Sequence, residues 1–203
     1  MSEETYRRSF GRTGARLRMT PPRVCGLTTR LGASAEYIMA IRNTCKALVV
    51  KDGKLLLCKN VRPTDDRCWW VLPQGAVCCD LPGGGQNMDE TLEEAAVREC
   101  LEETGYTAAV KRLAAVYEMI FMSEHFRARY LRHVHKVHFI FLCELTDAPR
   151  VMPTEMDTDM QGTEWVDLRE LENTPLYPAV VKDNIHRMLD AKEMLFLGSQ
   201  REV

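Results

Sequence analysis

From about residue 44 onward the chain is predicted to be an α/β domain, and three features carry that prediction. Two apolar runs, 44–50 and 54–58, flank Asp52-Gly53, a dipeptide suited to a two-residue hairpin turn. A capped amphipathic helix is written into residues 91–105. Further runs of strand type follow, and an apolar pattern of helical period lies near the C-terminal end.

The elements follow in order. After the hairpin, Trp69-Trp70-Val71-Leu72 reads as a short strand. Leu72-Pro73-Gln74-Gly75 and Leu81-Pro82-Gly83-Gly84 repeat one loop nine residues apart, so residues 76–80 read either as an insertion that reshapes the mouth of a pocket or, more simply, as a longer surface loop. Thr91 and Glu94 form a capping box that starts the helix. Leu92, Ala96, Val97, Cys100 and Leu101 supply its apolar stripe, and Gly105 stands where a C′ glycine ends it. Residues 107–113, 114–122 and 135–145 read as strands, and 165–168 as a shorter one. A helical turn is expected over 168–172, and a packing helix over 179–195.

Composition narrows the class. With 203 residues, 45% hydrophobic and 28% charged, the chain is an ordinary soluble globular protein. No apolar run approaches the roughly 20 residues of a membrane span, so no membrane partner is expected. The net charge of −2 gives no global footprint for nucleic acid. Residues 1–38 differ: seven arginines stand against three acids, with no hydrophobic period. They read as a basic arm, disordered or loosely packed, ahead of a domain spanning 39–203. An organellar transit peptide or a translation-start extension before Met39 would also fit, whereas a secretory signal lacks its apolar region. The eight cysteines contain no C-x2-C pair, and Cys45, Cys58, Cys100 and Cys143 sit in apolar runs where a thiol packs as a small hydrophobe. Free thiols in that number suit a cytoplasmic location.

The chemistry is concentrated beside the first helix. From Asp89 to Glu103 there are seven acids and one base, Arg98. Glu99, Glu102 and Glu103 stand at i, i+3 and i+4, on one helix face, where exposed like charges repel by roughly 0.2–0.5 kcal/mol per pair. Pro82-Gly83-Gly84-Gly85 adjoins them, a loop whose backbone can approach a phosphate or a metal. An amphipathic, salt-laced surface helix accounts for neither the excess of acid nor the glycines. The arrangement suits a hard divalent cation.

Gly84, Glu90, Arg98, Glu99, Glu102, Glu103 and Gly105 fall on the pattern G-x5-E-x7-R-E-U-x-E-E-x-G-U, where U is bulky and apolar. Cys100 and Tyr106 take the U positions, less usual residues there. Segment 84–106 therefore resembles the Nudix box, and a weaker likeness of strand order extends from 44 to the C-terminus. The resemblance implies a Nudix-type α/β/α sandwich with a mixed β-sheet. It implies a pyrophosphohydrolase that splits a phosphoanhydride in a nucleoside diphosphate-linked, nucleotide-like small molecule. Mg2+ is the implied cofactor, with Mn2+ as a substitute, and a homodimer is a family-level expectation.

By the same resemblance Glu99, Glu102 and Glu103 are metal ligands, joined by the Gly83 or Gly84 carbonyl and, as an outer carboxylate, Glu90. Arg98, with Glu94 and Glu102 at i−4 and i+4, orients carboxylates through its bidentate fork. The general base is a box glutamate, Glu102 or Glu103, or an acid from elsewhere: Glu144 at the end of a strand, or the loop carrying Glu155, Asp157 and Asp159. Substrate contacts are expected from Trp69 and Trp70, with Tyr117, Phe121 and Trp165 as further stacking candidates. Arg127 and Arg129, with Arg132 and Lys136, form a basic run able to clamp a terminal phosphate or merely to solvate a loop. His133 and His135 would share one strand face and His138 the other, poor geometry for a shared metal. No proline lies in 117–126 and no tyrosine in 118–129, which weakens ADP-ribose and dinucleoside polyphosphate labels. The alternative is a non-catalytic Nudix-fold nucleotide sensor. Degenerate acids would favour it, as a damaged box would favour isomerase chemistry; here none of the box acids is lost.

Overall fold

The computed structural model describes residues 41–61, 75–155 (the Arg129 side chain excepted) and 160–202. The basic arm, the predicted 69–72 strand and the loop acids Asp157 and Asp159 lie outside them. In chain order the described elements are β1 (Arg42–Lys51), β2 (Lys54–Val61), β3 (Val77–Asp80), β4 (Gly83–Gly85), α1 (Leu92–Thr104), β5 (Ala108–Phe121), α2 (Glu124–Arg129), β6 (His135–Leu145), β7 (Met160–Asp167), α3 (Ala179–Lys182), α4 (Ile185–Asp190) and β8 (Leu195–Glu202).

The β1–β2 hairpin forms as predicted, with Val50 opposite Leu55 and both Asp52 and Gly53 at positive φ. The sheet runs β3-β2-β1-β6-β5-β8, with β4 beside β1 and β7 beside β2. It is mixed: β1 pairs parallel to β6 and β5 parallel to β8, while β2 and β4 pair antiparallel to β1. Alternate side chains of β1 feed two cores, as the strand period requires. Cys45, Ala47 and Val49 pack with Ala95, Ala96 and Cys100 of α1; Leu48 points the other way, into a cluster with Val181 of α3 and Ile185 and Met188 of α4. Helices on both faces of a mixed sheet make the predicted α/β/α sandwich. Among the described residues no helix is long and apolar enough to cross a membrane.

Four local expectations are corrected. Residues 77–80 are a strand and not a surface loop, because Cys78 and Cys79 are buried and β3 pairs with β2. The two strands expected over 107–122 are one, Ala108–Phe121, whose pairing with β6 shifts register between Val110 and Arg112 and between Leu113 and Ala115. The helix expected over 179–195 is split into α3 and α4, and Leu195 belongs to β8, paired with Ala115. His133 leaves strand β6 for a 3-10 turn, Leu131–His133.

Candidate active site

Helix α1 is fixed at both ends by its own sequence. The Thr91 hydroxyl accepts the Glu94 amide at 3.2 Å, and the Glu94 carboxylate accepts the Thr91 amide at 2.8 Å. Gly105 ends the helix at φ 74, its amide donating to the Leu101 carbonyl at 2.8 Å. The fully buried stripe is Ala95, Ala96, Cys100 and Thr104, with the predicted Leu92, Val97 and Leu101 half-buried. The glutamates flank this stripe and face the β4 glycines.

Arg98 organises the acids. A guanidinium has five N–H donors, and all five are engaged. Nε and Nη2 form a fork on Glu90 at 2.6 and 2.9 Å. Nη1 donates to Glu99 and to Glu102, each at 2.8 Å. The last donor, on Nη2, reaches the Gly85 carbonyl at 3.0 Å. One cation thus ties three carboxylates to the glycine strand. Glu94, predicted beside Arg98 at i−4, is spent on the helix cap instead. The Glu90 fork, ahead of the other carboxylates, holds Arg98 charged at any working pH. The same fork is the main reason Glu90 sits below the usual carboxylate range.

A second cation lies beneath the acids. Lys46, in the middle of β1, donates to Asp80 at 2.7 Å and to the Leu81 and Gly83 carbonyls at 3.0 and 2.8 Å. All three ammonium donors are used. Burial alone would lower its pKa; Asp80 and then Glu103 outweigh that and raise it, so the ammonium persists. Glu103 accepts the Gly83 amide at 2.8 Å and the Cys58 thiol at 3.3 Å. Burial pushes the Glu103 pKa up to about 7 against the pull of Lys46 and these donors, and burial also raises Glu99. Sequence reasoning passed over Lys46 and Asp80. The available signal was a lysine interrupting an otherwise apolar strand.

These carboxylates fit a hard divalent cation by their donor chemistry. In each of Glu99, Glu102 and Glu103 one oxygen is held by Arg98 or by the Gly83 amide, and the other accepts no hydrogen bond among the described residues. Gly84 keeps the approach bare: a Cβ there would lie 2.5 Å from Glu99 Oε2. Lys46 donates to the Gly83 carbonyl, and Gly84 pairs with Cys45 in the antiparallel β1–β4 ladder, so both expected carbonyl ligands already have a partner within the chain. Among the described residues no three His, Cys, Asp or Glu side chains converge into a finished cage. Arg98 and Lys46 supply the positive charge in the arrangement described.

A cleft of about 270 Å3 opens beside Glu103 and the three β4 glycines. Its floor carries Lys46, Thr44 and His138, and its walls include Tyr117, Arg42 and Lys136. Tyr117 stacks on His138, ring centroids 4.3 Å apart and planes 7° from parallel. Burial, then Lys136 and Arg42, bring the His133 pKa down to about 4; burial, then Lys136 and Lys46, put His138 well below its ordinary value. Both imidazoles line the cleft as neutral rings.

Several expected site residues lie elsewhere. Glu144 is exposed and paired with Lys111 at 2.5 Å. Ile140 is the β6 residue opposite Lys46, and Glu144 lies four residues further, roughly 13 Å along the strand away from the cleft. Arg127 donates to the Phe121 carbonyl at 3.1 Å and does not line the cleft. Trp165 packs on Tyr106 in the core beneath α1, and Phe121 stacks on Phe126. Glu155 is exposed, its amide bound to the Glu102 carbonyl at 3.1 Å. Trp69, Trp70 and the Arg129 side chain lie outside the described residues. Of the basic run, Lys136 reaches the cleft.

This geometry, an acid-bearing helix against a glycine strand in a mixed sandwich, agrees with the family comparison. The NUDIX domain family profile matches residues 42–185. The chain belongs to the Nudix family. A Bacillus subtilis (strain 168) protein, provisionally named an 8-oxo-dGTP diphosphatase, is 59% identical over 39 residues, 19% of this chain and 26% of that protein. An ADP-ribose pyrophosphatase of Methanocaldococcus jannaschii is 40% identical over 70 residues, 34% of this chain and 36% of its own length. The chain thus spans about a quarter to a third of the length of these curated relatives. Among solved structures, a Nudix hydrolase from Nitrosomonas europaea superposes with a TM-score of 0.56 at 18% identity, covering 74% of this chain and 88% of that one. That likeness concerns the fold.

Proposed function

We propose that this Nudix protein is a divalent-metal-dependent pyrophosphohydrolase, with Mg2+ as the metal and Mn2+ able to replace it. Its substrate is a nucleoside diphosphate-linked molecule, cleaved at a phosphoanhydride by water attack on phosphorus. The observation that carries this reading is the complete acid set. Glu99, Glu102 and Glu103 are each anchored through one oxygen and open at the other, beside a cleft of about 270 Å3 lined by Glu103 and the glycine strand. A non-catalytic sensor has no need of three such acids held by a dedicated arginine. The names of the two relatives share the cleavage of a diphosphate and differ in the molecule that carries it.

Divalent metal, when bound, neutralises phosphate charge and makes water a better nucleophile. Glu99, Glu102 and Glu103 would hold it, with the Gly83 or Gly84 carbonyl as a further oxygen ligand. Arg98 keeps Glu99 and Glu102 in place through its Nη1 donors, and its role is to position carboxylates. Glu103 is the box acid that lines the cleft, which makes it the preferred proton acceptor for the attacking water. Lys46 holds the Leu81–Gly83 backbone, and so the glycine strand, against the helix.

The test is a hydrolysis panel with Mg2+ or Mn2+: nucleoside triphosphates in oxidised and deoxy forms, ADP-ribose, nucleotide sugars, dinucleoside polyphosphates and NADH. A strong hit lost with EDTA and in Glu103→Gln is expected. Nucleotide binding with no turnover across the panel would replace this reading with the sensor.

A further inference from the structure

Three buried polar atoms of two cleft-lining residues have no hydrogen-bond partner among the described residues. Among the described residues four buried side-chain nitrogen or oxygen atoms lack a hydrogen-bond partner, and three belong to one neighbouring pair: Thr44 Oγ1, His138 Nδ1 and His138 Nε2. Both residues are only 6% exposed. Folded proteins pair nearly all such atoms, so a cluster of orphans calls for a specific explanation. The residues that carry these orphans, Thr44 and His138, both line the cleft that holds Glu103 and the glycine strand.

The topology brings the pair together. Thr44 of β1 stands directly opposite His138 of β6 on one side and Gly85 of β4 on the other. Two inter-strand spacings, roughly 10 Å, therefore separate the glycine strand from His138. One nucleoside can bridge that span from its phosphate to its base. Tyr117, the cross-strand neighbour of His138 on β5, stacks on the imidazole and fixes its plane. What the ring has left to offer is its polar edge.

We propose that Thr44 and His138 determine specificity by hydrogen-bonding the edge of the substrate's nucleobase, a group carrying a donor and an acceptor side by side. This rests on the reading that the cleft takes a nucleotide-like substrate. The chemistry separates a base from a phosphate. A neutral imidazole presents one N–H donor and one bare nitrogen, and a threonine hydroxyl both donates and accepts. A phosphate offers acceptors only and would leave the bare nitrogen unpaired. Arg42 and Lys136, also on the cleft wall, are the residues suited to anionic oxygens.

The proposal is tested by binding, which does not depend on turnover. The probes are the α,β-methylene diphosphates of adenosine, guanosine, cytidine and uridine, with methylenediphosphonate as the base-free counterpart, titrated by calorimetry in Mg2+. The wild-type protein is expected to prefer at least one nucleoside probe over the base-free one. Thr44→Val and His138→Phe, close in shape to the originals, should each weaken that probe about ten-fold. Both should leave methylenediphosphonate unchanged, and Thr44→Ser should restore affinity. Equal losses on both kinds of probe, or no loss on the nucleoside, would overturn the assignment, as would a wild type with no nucleoside preference. Failure of the hydrolase reading shows separately, as wild-type binding of a nucleoside probe without turnover of any member of the hydrolysis panel that carries the same base. Thermal midpoints near wild type for the two shape-preserving variants confirm that binding, and not folding, is being compared.

Discussion

Replacing Arg98 by lysine isolates geometry from charge at the candidate metal site. The positive charge remains, but five donors in a planar fork become three on a flexible stem. Arg98 serves five acceptors on Glu90, Glu99, Glu102 and Gly85. Lysine can serve at most three, so at least two lose their partner. Hydrogen bonds to charged groups contribute about 1.5–3 kcal/mol when made. These side chains are only partly buried, 14–26% exposed, so water recovers part of that loss. A net loss of about 1.4–2.8 kcal/mol in ligand positioning corresponds to about 10–100-fold in metal affinity. The assay is Mn2+ binding followed by electron paramagnetic resonance, with circular dichroism to verify the helix. An Arg98→Lys protein that binds Mn2+ as tightly as wild type would refute the claim that the guanidinium positions Glu99 and Glu102.

Three further outcomes follow from the same geometry. Lys46→Met removes the partner of Asp80 and of two carbonyls, and breaking a largely buried pair on one side should destabilise the fold by about 3 kcal/mol. Urea denaturation reads this; a loss under about 1 kcal/mol, or no recovery in Lys46→Met/Asp80→Leu, contradicts it. Gly84→Ala places a methyl 2.5 Å from Glu99 Oε2, so Glu99 must move, and metal-dependent turnover should fall about 10–100-fold with the helix content intact. Unaltered turnover would show that the bare backbone at Gly84 is not needed. Glu144→Gln should leave kcat/KM unchanged because its carboxylate faces Lys111 at the far end of β6; a large drop would return Glu144 to the site.

The acid-bearing helix was legible in the sequence because its determinants are local. Thr91, Glu94 and Gly105 act within a turn of the ends they fix, and box spacing alone puts the three glutamates on one flank. What was hidden depends on distant pairing. The partners of Lys46 lie 34 to 37 residues away, so nothing near it in the sequence says why a lysine sits in an apolar strand. Glu144 was left open between a site acid and a strand-end acid, because only the parallel β1–β6 register places it four residues past the position opposite Lys46. Strand β8 was hidden because Leu195 continues the helical spacing of the preceding segment, and the choice of strand is made by pairing with β5, some 80 residues earlier in the chain. The predicted histidine geometry failed for a similar reason: a 3-10 turn at Leu131–His133 takes His133 out of the strand period and brings it to the cleft.

The most direct measurement is hydrolysis of the best panel substrate in 18O-labelled water, read by 31P NMR. The account predicts one 18O atom on a phosphorus of the products, with the signal absent in EDTA and in Glu103→Gln. Label appearing on carbon instead, product forming equally well without metal, or full activity in the Glu103 variant would contradict it.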